Sequence, residues 1–282
     1  MMNLILRFVG MHDDIRAVVM NGSRVNPLAR KDPFQDYDIA CYVHDIAPYR
    51  RNADIPPFFG EIMILQTPVD MGDPPPENDG SYAYLMQFMD GNRIDLSFYP
   101  LEKINDIKDD SLSVVLIDKD HAIGELPPPG NKSYLPMKPT AKAFDDCCNE
   151  FWWLNSYVAK GLWRGELTYA RKHLDGWMRA ELMKMLVWYF GIKTGFKKSP
   201  GKDGKYMHEG LEDHLWTLLD KTFSDSVPDH NWNAIIAMDD LFRSAAREVA
   251  KQFGFSYPEQ EDAKVTDFIH KIKNLPQEAM EI

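Results

Sequence analysis

The sequence has few cysteines and no apolar run long enough to cross a membrane. Three Cys among 282 residues argue against a disulfide scaffold, and no Cys/His spacing fits a zinc site. No apolar stretch approaches the roughly 20 residues that a transmembrane helix needs. The apolar segment from Met1 to Val9 is short and lacks a small-residue cleavage site. We therefore expect a helix there, a cytoplasmic protein and no membrane partner.

Basic residues are also in the minority. Lys and Arg number 32 against 43 Asp and Glu, which gives a net charge of −11. Because a protein that binds a duplex needs a basic face, this balance disfavours nucleic acid as a substrate. It favours a cationic partner, which the acidic field would attract.

The chain divides into two parts with different sequence patterns. The first half alternates short apolar runs with turns, and these runs have the period-two pattern of strands. The predicted strands are Ile15–Met20, Tyr37–Val43, Glu61–Gln66, Ser81–Phe88, Arg93–Tyr99 and Val114–Ile117. Prolines then cluster at Glu125–Gly130 and Pro136–Pro139. Proline continues neither a helix nor a central strand, so this segment is predicted to be a linker.

From Thr140 onward, long amphipathic patterns predict helices. These helices are Ala141–Lys160, Arg164–Leu174, Arg179–Thr194, Tyr206–Phe223, Trp232–Phe253 and Glu259–Lys273, with Gly176 breaking the chain between two of them. The sequence therefore predicts an α+β protein. Its N-terminal domain, residues 1–135, has a mixed sheet flanked by helices, and residues 136–282 form an all-α helical bundle. Since active sites favour domain interfaces, we expect the substrates to meet between the two domains.

The most informative local pattern is a glycine-serine turn followed by paired acids. Gly22 and Ser23 end the first predicted strand, and a turn of this kind offers backbone N–H groups and a hydroxyl to phosphate oxygens. Asp36 and Asp38 come shortly after, and side chains two apart on a strand share a face. Their mutual repulsion is relieved when a cation lies between them. A phosphate-binding turn beside paired carboxylates is what metal-dependent nucleotidyl transfer requires.

Asp95 supplies a third carboxylate on the last strand of the first domain. Three such groups can hold two Mg²⁺ ions, which prefer oxygen ligands and can stabilise the attacking and leaving oxygens of an in-line displacement. Asp95 can also accept the proton of the attacking hydroxyl, or form a salt bridge with Arg93 on the same face. Arg24, directly after the Gly-Ser turn, either contacts a triphosphate or folds back to pair with an acid.

At these residues the chain resembles the DNA-polymerase-beta-like nucleotidyltransferase superfamily and, within it, the aminoglycoside 6-adenylyltransferases, a family of streptomycin-modifying enzymes. The resemblance runs over nearly the whole chain. Its motifs are Asn21–Arg24, Phe34–Ile39, Asn92–Leu96, Asp145–Trp152 and Tyr157–Leu162. An Asp-x-Asp pair also occurs in metal-dependent glycosyltransferases, but there it follows a larger nucleotide-binding region, and this chain has no room for one before residue 36.

The resemblance implies transfer of AMP from ATP to the 6-hydroxyl of streptomycin, with Mg²⁺ held by Asp36, Asp38 and Asp95. It also implies that a carboxylate of the second domain approaches the acceptor. Glu150 is the candidate base, because its apolar sequence neighbours would raise its pKa, and an acceptor-binding or structural role is the alternative. Asp145 and Asp146 are weaker candidates for binding guanidinium groups.

Lysines of the second domain are candidates for holding the departing pyrophosphate. Lys160 follows Glu150 by ten residues, so on one helix the two lie about 15 Å apart along the axis. Lys202 and Lys205, in a glycine-containing loop, are predicted to be able to do the same, and a solvated lysine is the alternative for each. Gly22, Ser23, Arg24, Lys160 and Lys205 are thus the predicted nucleotide-binding residues.

Two other functions remain open from the sequence. One is the same chemistry on another aminoglycoside, a lincosamide or a metabolite hydroxyl, and the other is a nucleotide-binding module without turnover. For most tryptophans we expect core packing, with one of them stacking on adenine or lining an acceptor pocket. Cys147 and Cys148 are expected to be buried small apolar residues.

Overall fold

The computed structural model describes residues 1–77 and 79–282. The chain forms two compact units, Met1–Ser133 and Tyr134–Ile282. The division falls two residues before the predicted boundary, within the proline-containing segment between the strand-rich and helix-rich halves of the sequence.

The first unit is built on a mixed six-stranded sheet. Its strands, in chain order, are β1 Ile15–Asn21, β2 Tyr37–Val43, β3 Ile62–Gln66, β4 Tyr82–Phe88, β5 Arg93–Pro100 and β6 Ser113–Asp118. They are ordered β3-β4-β5-β2-β1-β6. Only the β2–β5 pair is parallel among these neighbours. The mixed sheet and all six strands predicted from the apolar pattern are confirmed.

Alternation along the central strands gives the sheet two different faces. On one face, Ile39 and Cys41 of β2 and Leu96 of β5 pack with the helices α1 Met2–Gly10 and α2 Ile55–Phe59. The opposite face carries a smaller apolar cluster, to which the 3₁₀ segment Leu101–Asp109 contributes. Residues 38, 40 and 42 of β2 point to this less covered face, which leaves Asp38 free to take part in a site.

The second unit is entirely helical, as predicted. Its α-helices are α3 Ala141–Trp163, α4 Leu167–Arg171, α5 Arg179–Lys193, α6 Asp213–Lys221, α7 Pro228–Phe253 and α8 Glu259–Lys273. The core is aromatic at its centre, where Phe151 of α3 stacks on Phe242 of α7 with ring centroids 3.7 Å apart. No helix among the described residues is both long and apolar enough to cross a membrane.

Two helix predictions were wrong in detail. Gly176 does not break the chain: it lies inside a π-helical stretch, Lys172–Met178, that continues from α4 into α5. Leu174 and Met178 are fully buried on either side of it, and this packing outweighs the weak helix propensity of glycine. The predicted helix Tyr206–Phe223 instead starts at Asp213. Gly210 lies in the non-helical segment before this start, and it packs so closely that a Cβ there would lie 2.4 Å from the Phe190 ring.

Candidate active site

A 3₁₀ turn formed by Gly22–Arg24 follows the end of β1. Gly22 has φ of +77°, and a Cβ at this position would lie 2.1 Å from Oδ2 of Asp38. The carboxylate of Asp38 therefore lies directly against the backbone of the turn. Only glycine satisfies both the backbone angle and this close approach. The turn and the first strand acid thus form one local structure.

The structure brings the three predicted acids together. Asp38 and Asp95 are register partners on the parallel strands β2 and β5, and Asp36 immediately precedes β2. Burial, reinforced by the charges of Asp95 and Asp36, raises the pKa of Asp38 to about 6. Burial also raises the pKa of Asp36. The elevated pKa values record negative charges held close to one another in a partly desolvated place.

Arg93 is the counter-ion of this cluster. Its Nε and Nη2 atoms donate to the two carboxylate oxygens of Asp95, both at 2.8 Å, and Nε lies 3.6 Å from Oδ2 of Asp36. The salt bridge that was one interpretation of Asp95 is therefore present. A bidentate guanidinium fixes the orientation of the carboxylate as well as balancing its charge.

The donor chemistry of the cluster fits Mg²⁺. Asp36, Asp38 and Asp95 offer only oxygen ligands, and a divalent cation would relieve the repulsion that raises the pKa of Asp38. In residues 1–77 and 79–282, however, no three His, Cys, Asp or Glu side chains are arranged to hold a metal ion. Arg93 supplies the positive charge in this conformation.

Arg24 folds back, but onto main-chain carbonyls and not onto an acid. Its Nη2 donates to the carbonyl of Gln35 at 2.7 Å and its Nε to that of Asp36 at 3.1 Å. The guanidinium also lies 3.6 Å from the centre of the Tyr37 ring. Gln35 completes the exchange by donating from Nε2 to the carbonyl of Ser23 at 2.9 Å.

These reciprocal bonds tie the Gly-Ser turn to the segment that carries the acids. Arg24 therefore holds the turn in position, and its predicted contact with a phosphate stays a prediction. The motif Phe34–Ile39 includes Gln35, but sequence reasoning gave this residue no role. The available signal was its position directly before Asp36, but spacing does not reveal that its side chain reaches back to residue 23.

A cavity of about 450 Å³ adjoins the acids on the same face of the sheet. Its floor consists of residues 38, 40 and 42 of β2 and residues 95, 97 and 99 of β5, which alternate in register. Around this floor are Asn21, Asp79, Leu85, Lys103, Asp106 and Asp110. Five of the lining side chains are carboxylates, against a single lysine, so the cavity is strongly acidic.

The predicted site residues of the helical unit are all at least partly accessible. Glu150 of α3 is exposed, so the prediction of an apolar setting was wrong: Cys147, Cys148 and Phe151 face the core, and Glu150 faces away. Lys160 is half-buried near the end of the same helix. Lys205 is exposed, with its ammonium 5.1 Å from the centre of the Tyr206 ring. Their roles stay predictions.

Several aromatic side chains of the helical unit form a partly exposed strip, which we call the aromatic strip. Its members are Trp153, Tyr157, Tyr169, His173 and Trp177, and successive ring pairs lie 4.3 to 6.3 Å apart. Trp153 is 60% exposed and Trp177 is 50% exposed. We expected most tryptophans in the core. Trp152 and Trp188 are buried there, whereas Trp153 and Trp177 are not.

Comparison with known proteins identifies the family. A family model described as streptomycin adenylyltransferase matches residues 1–272. The chain belongs to the streptomycin adenylyltransferase family. It is 39% identical over 273 residues to an aminoglycoside 6-adenylyltransferase of Campylobacter jejuni, with 96% of this chain and 94% of the relative covered. It is 35% identical over 274 residues to the enzyme of that name from Bacillus subtilis (strain 168), with 96% of both covered.

A third relative, from Staphylococcus aureus and with the same name, is 34% identical over 262 residues, with 92% of this chain and 93% of the relative covered. A crystal structure of an aminoglycoside 6-adenyltransferase from Bacillus subtilis is 32% identical, with a TM-score of 0.49 and 98% of each chain covered. The streptomycin adenylyltransferase family is one of nucleotidyltransferases, so the chain is an enzyme of that class. The family predicted from the motifs is confirmed.

Proposed function

We propose that this enzyme transfers AMP from ATP to the 6-hydroxyl of streptomycin, depends on Mg²⁺ and releases pyrophosphate, thereby inactivating the antibiotic. The observation that carries the proposal is the gathering of Asp36, Asp38 and Asp95 around the Gly22–Arg24 turn. Membership of the streptomycin adenylyltransferase family supports the choice of reaction.

In this proposal each group of the first unit has one task. The backbone N–H and the hydroxyl of Ser23 bind phosphate oxygens of ATP, and Gly22, whose own N–H donates to the Leu112 carbonyl, allows the turn to form. Asp36, Asp38 and Asp95 hold the metal, and bound Mg²⁺ supplies charge neutralisation at the reacting phosphate. Arg24 and Gln35 keep the turn in place beside the acids. Positioning and electrostatics provide most of the acceleration.

Two carboxylates remain candidates for accepting the proton of the acceptor hydroxyl. Asp95 is held in one orientation by its two hydrogen bonds from Arg93, as a bidentate guanidinium does to a carboxylate. Glu150 is exposed on α3. Trp153 and Tyr157 follow it by three and seven residues, which places them on the same face of the helix. Lys160 and Lys205 are proposed to contact the departing pyrophosphate.

The aromatic strip supports a cationic glycoside as the acceptor. Faces of Trp and Tyr attract guanidinium and ammonium groups, and exposed rings offer flat apolar surface to a sugar. The net charge of −11 acts in the same direction, because it attracts a polycation over a distance.

The decisive experiment is pyrophosphate release from Mg·ATP with streptomycin, with kanamycin, and with neither. We expect release only with streptomycin. Replacing Asp38 with asparagine should lower kcat by at least about 100-fold, the usual range for losing one strong electrostatic contact to the transition state. Asp54→Asn, an exposed acid of the same unit, is the matched control and should keep full activity.

Pyrophosphate release by the Asp38→Asn variant at the wild-type rate would contradict the metal assignment. Release with kanamycin but not with streptomycin would place the enzyme on another aminoglycoside. If the wild-type protein releases no pyrophosphate with either drug, the search moves to other hydroxyl-bearing acceptors, beginning with lincosamides.

A further inference from the structure

The acid-lined cavity extends well beyond the three catalytic candidates. Asp38 and Asp95 lie at one end of its floor, and Tyr42 and Tyr99 lie at the other, four residues further along β2 and β5. At about 3.3 Å per residue, the two ends are roughly 13 Å apart. Ala40 and Ser97 lie between them, and their small side chains leave space above the middle of the floor. The cavity therefore has room for more than a metal ion and a phosphate.

Tyr42 is a buried side chain whose polar end belongs to this cavity. Only 5% of the residue is exposed, and its ring is part of the apolar cluster with Ile104 and Ile107. The Tyr99 ring lies beside it, with centroids 5.6 Å apart and the planes inclined by 25°. Within the residues that the structure describes, the Tyr42 hydroxyl has no hydrogen-bond partner, although it is not sealed in the core. Its polar atom is thus available to a ligand in the cavity.

The carboxylates along the walls of the cavity differ in how many hydrogen-bond and ion-pair partners they already have. Asp79 pairs with Lys103. Asp110 accepts hydrogen bonds from the Asn21 amide at 3.2 Å and from the backbone N–H of Leu112 at 2.8 Å, but from no cation. Asp106 forms neither a hydrogen bond nor an ion pair with any described residue, and it interacts electrostatically with Tyr42. Two negative charges therefore remain without a cationic partner at the cavity wall.

We propose that this cavity binds the acceptor, with Asp106 holding an ammonium or guanidinium group at the Tyr42 end and the Tyr42 hydroxyl bonding a hydroxyl of the same molecule. Asp110 adds negative charge nearer the Asp38 end, beside Asn21, the register partner of Asp38. The reacting hydroxyl of the acceptor then lies at the Asp38–Asp95 end. The inference deepens the proposed function and rests on it. It assigns recognition of charge to the first unit, through residues that no motif of the sequence singled out.

The test is the binding of streptomycin to the full-length protein by calorimetry, together with steady-state KM values for streptomycin and ATP. Asp106→Asn removes one charge without changing the shape, and a charge-assisted contact of this kind predicts a Kd roughly 10- to 100-fold weaker. Tyr42→Phe removes only the hydroxyl and keeps the ring in the apolar cluster, so we expect a loss of roughly 3- to 10-fold. The KM for ATP should stay within about twofold, because neither side chain is proposed to contact the nucleotide.

Asp109→Asn is the matched control, an exposed acid of the same 3₁₀ segment that does not line the cavity. It should leave both KM values unchanged. Unfolding midpoints of all variants, compared with the wild type, separate a binding defect from a folding defect.

Three outcomes would overturn the inference. The first is an unchanged streptomycin Kd in both cavity variants. The second is a change confined to the KM for ATP, which would assign the cavity to the nucleotide. The third is no binding of streptomycin to the wild type. Binding that Asp106→Asn weakens, without pyrophosphate release from the wild type, would uphold the cavity site while contradicting the proposed reaction.

Discussion

At the scale of single residues, the close approach between Gly22 and Asp38 gives the sharpest constraint. A side chain at position 22 meets two obstacles, since φ is +77° and the added Cβ would lie 2.1 Å from Oδ2 of Asp38. Either the turn or the carboxylate must move. A displacement of about 1 Å in a positioned catalytic group typically costs about 100-fold in rate.

We therefore predict that Gly22→Ala lowers kcat/KM by about 100-fold or more and destabilises the fold by about 1–3 kcal/mol. Gly91→Ala is the matched control. Gly91 also has a positive φ, +85°, but nothing lies within 4 Å of its added Cβ. It should show the backbone cost in a urea titration and keep its activity. Equal activity losses in the two variants would show that general destabilisation, and not the Asp38 contact, is responsible.

Residue-scale prediction from the sequence succeeded where spacing alone decides. The period of a β-strand predicts that Asp36 and Asp38 share a face, and that Asp95 shares one with Arg93. It does not predict that β5 pairs with β2, which the structure adds. Side-chain direction in loops does not follow in this way. The bonds of Arg24 and Gln35 across the turn, and the exposure of Glu150, depend on which way each chain segment faces after folding.

At the scale of secondary-structure elements, the packed core explains both the successes and the failures. Strands were predictable because one face of the sheet is buried, which makes apolar residues alternate. The continuity through Gly176 was not predictable, because it depends on the tertiary packing of the buried Leu174 and Met178. The close packing of the Phe190 ring against Gly210 was not predictable either, because it depends on which segments meet after folding.

One buried acid of α7 departs from the usual sorting of charges to the surface. Asp239 is 3% exposed, and its Oδ1 has no hydrogen-bond partner among the described residues. Burial raises its pKa well above the ordinary value, against a smaller opposing effect of the Asn155 amide and of Arg243. Because the pKa of Asp239 is higher in the folded than in the unfolded protein, its contribution to the free energy of unfolding is fully present below about pH 4. That contribution is lost as the pH rises, because the unfolded chain then ionises.

Asp239→Asn should therefore stabilise the protein at pH 7, by about 1–3 kcal/mol, and the gain should shrink towards zero near pH 4. The measurement is the free energy of unfolding from urea titrations at several pH values. Asp267→Asn, an exposed acid of α8, is the control and should change little at any pH. A variant of Asp239 that is less stable than the wild type at pH 7 would mean that its carboxylate is ionised and paired in the folded state.

At the scale of the whole molecule, composition predicted the division into a strand-rich and a helix-rich half. The structure confirms an α+β architecture with separate cores, one on the sheet and one around Phe151 and Phe242. The identity of the acceptor does not follow from the sequence pattern in this way. No spacing or periodicity identifies streptomycin or its 6-hydroxyl as the proposed acceptor. In the proposed site, specificity depends on the shape and charge of a cavity assembled from distant segments, such as Tyr42 of β2 and Asp106 of the 3₁₀ segment.

The net charge of −11 makes a prediction that belongs to the molecule and not to any single residue. An acidic surface attracts a polycation and speeds its encounter, and salt screens this attraction over a Debye length of about 10 Å at 0.1 M. The kcat/KM for streptomycin should therefore fall several-fold between low salt and roughly 0.3 M NaCl, while kcat changes little. ATP is an anion, so its kcat/KM measured over the same salts should not fall in parallel. A streptomycin kcat/KM that is independent of salt would show that the acidic surface plays no part in attracting the acceptor, and that its contacts within the cavity act alone.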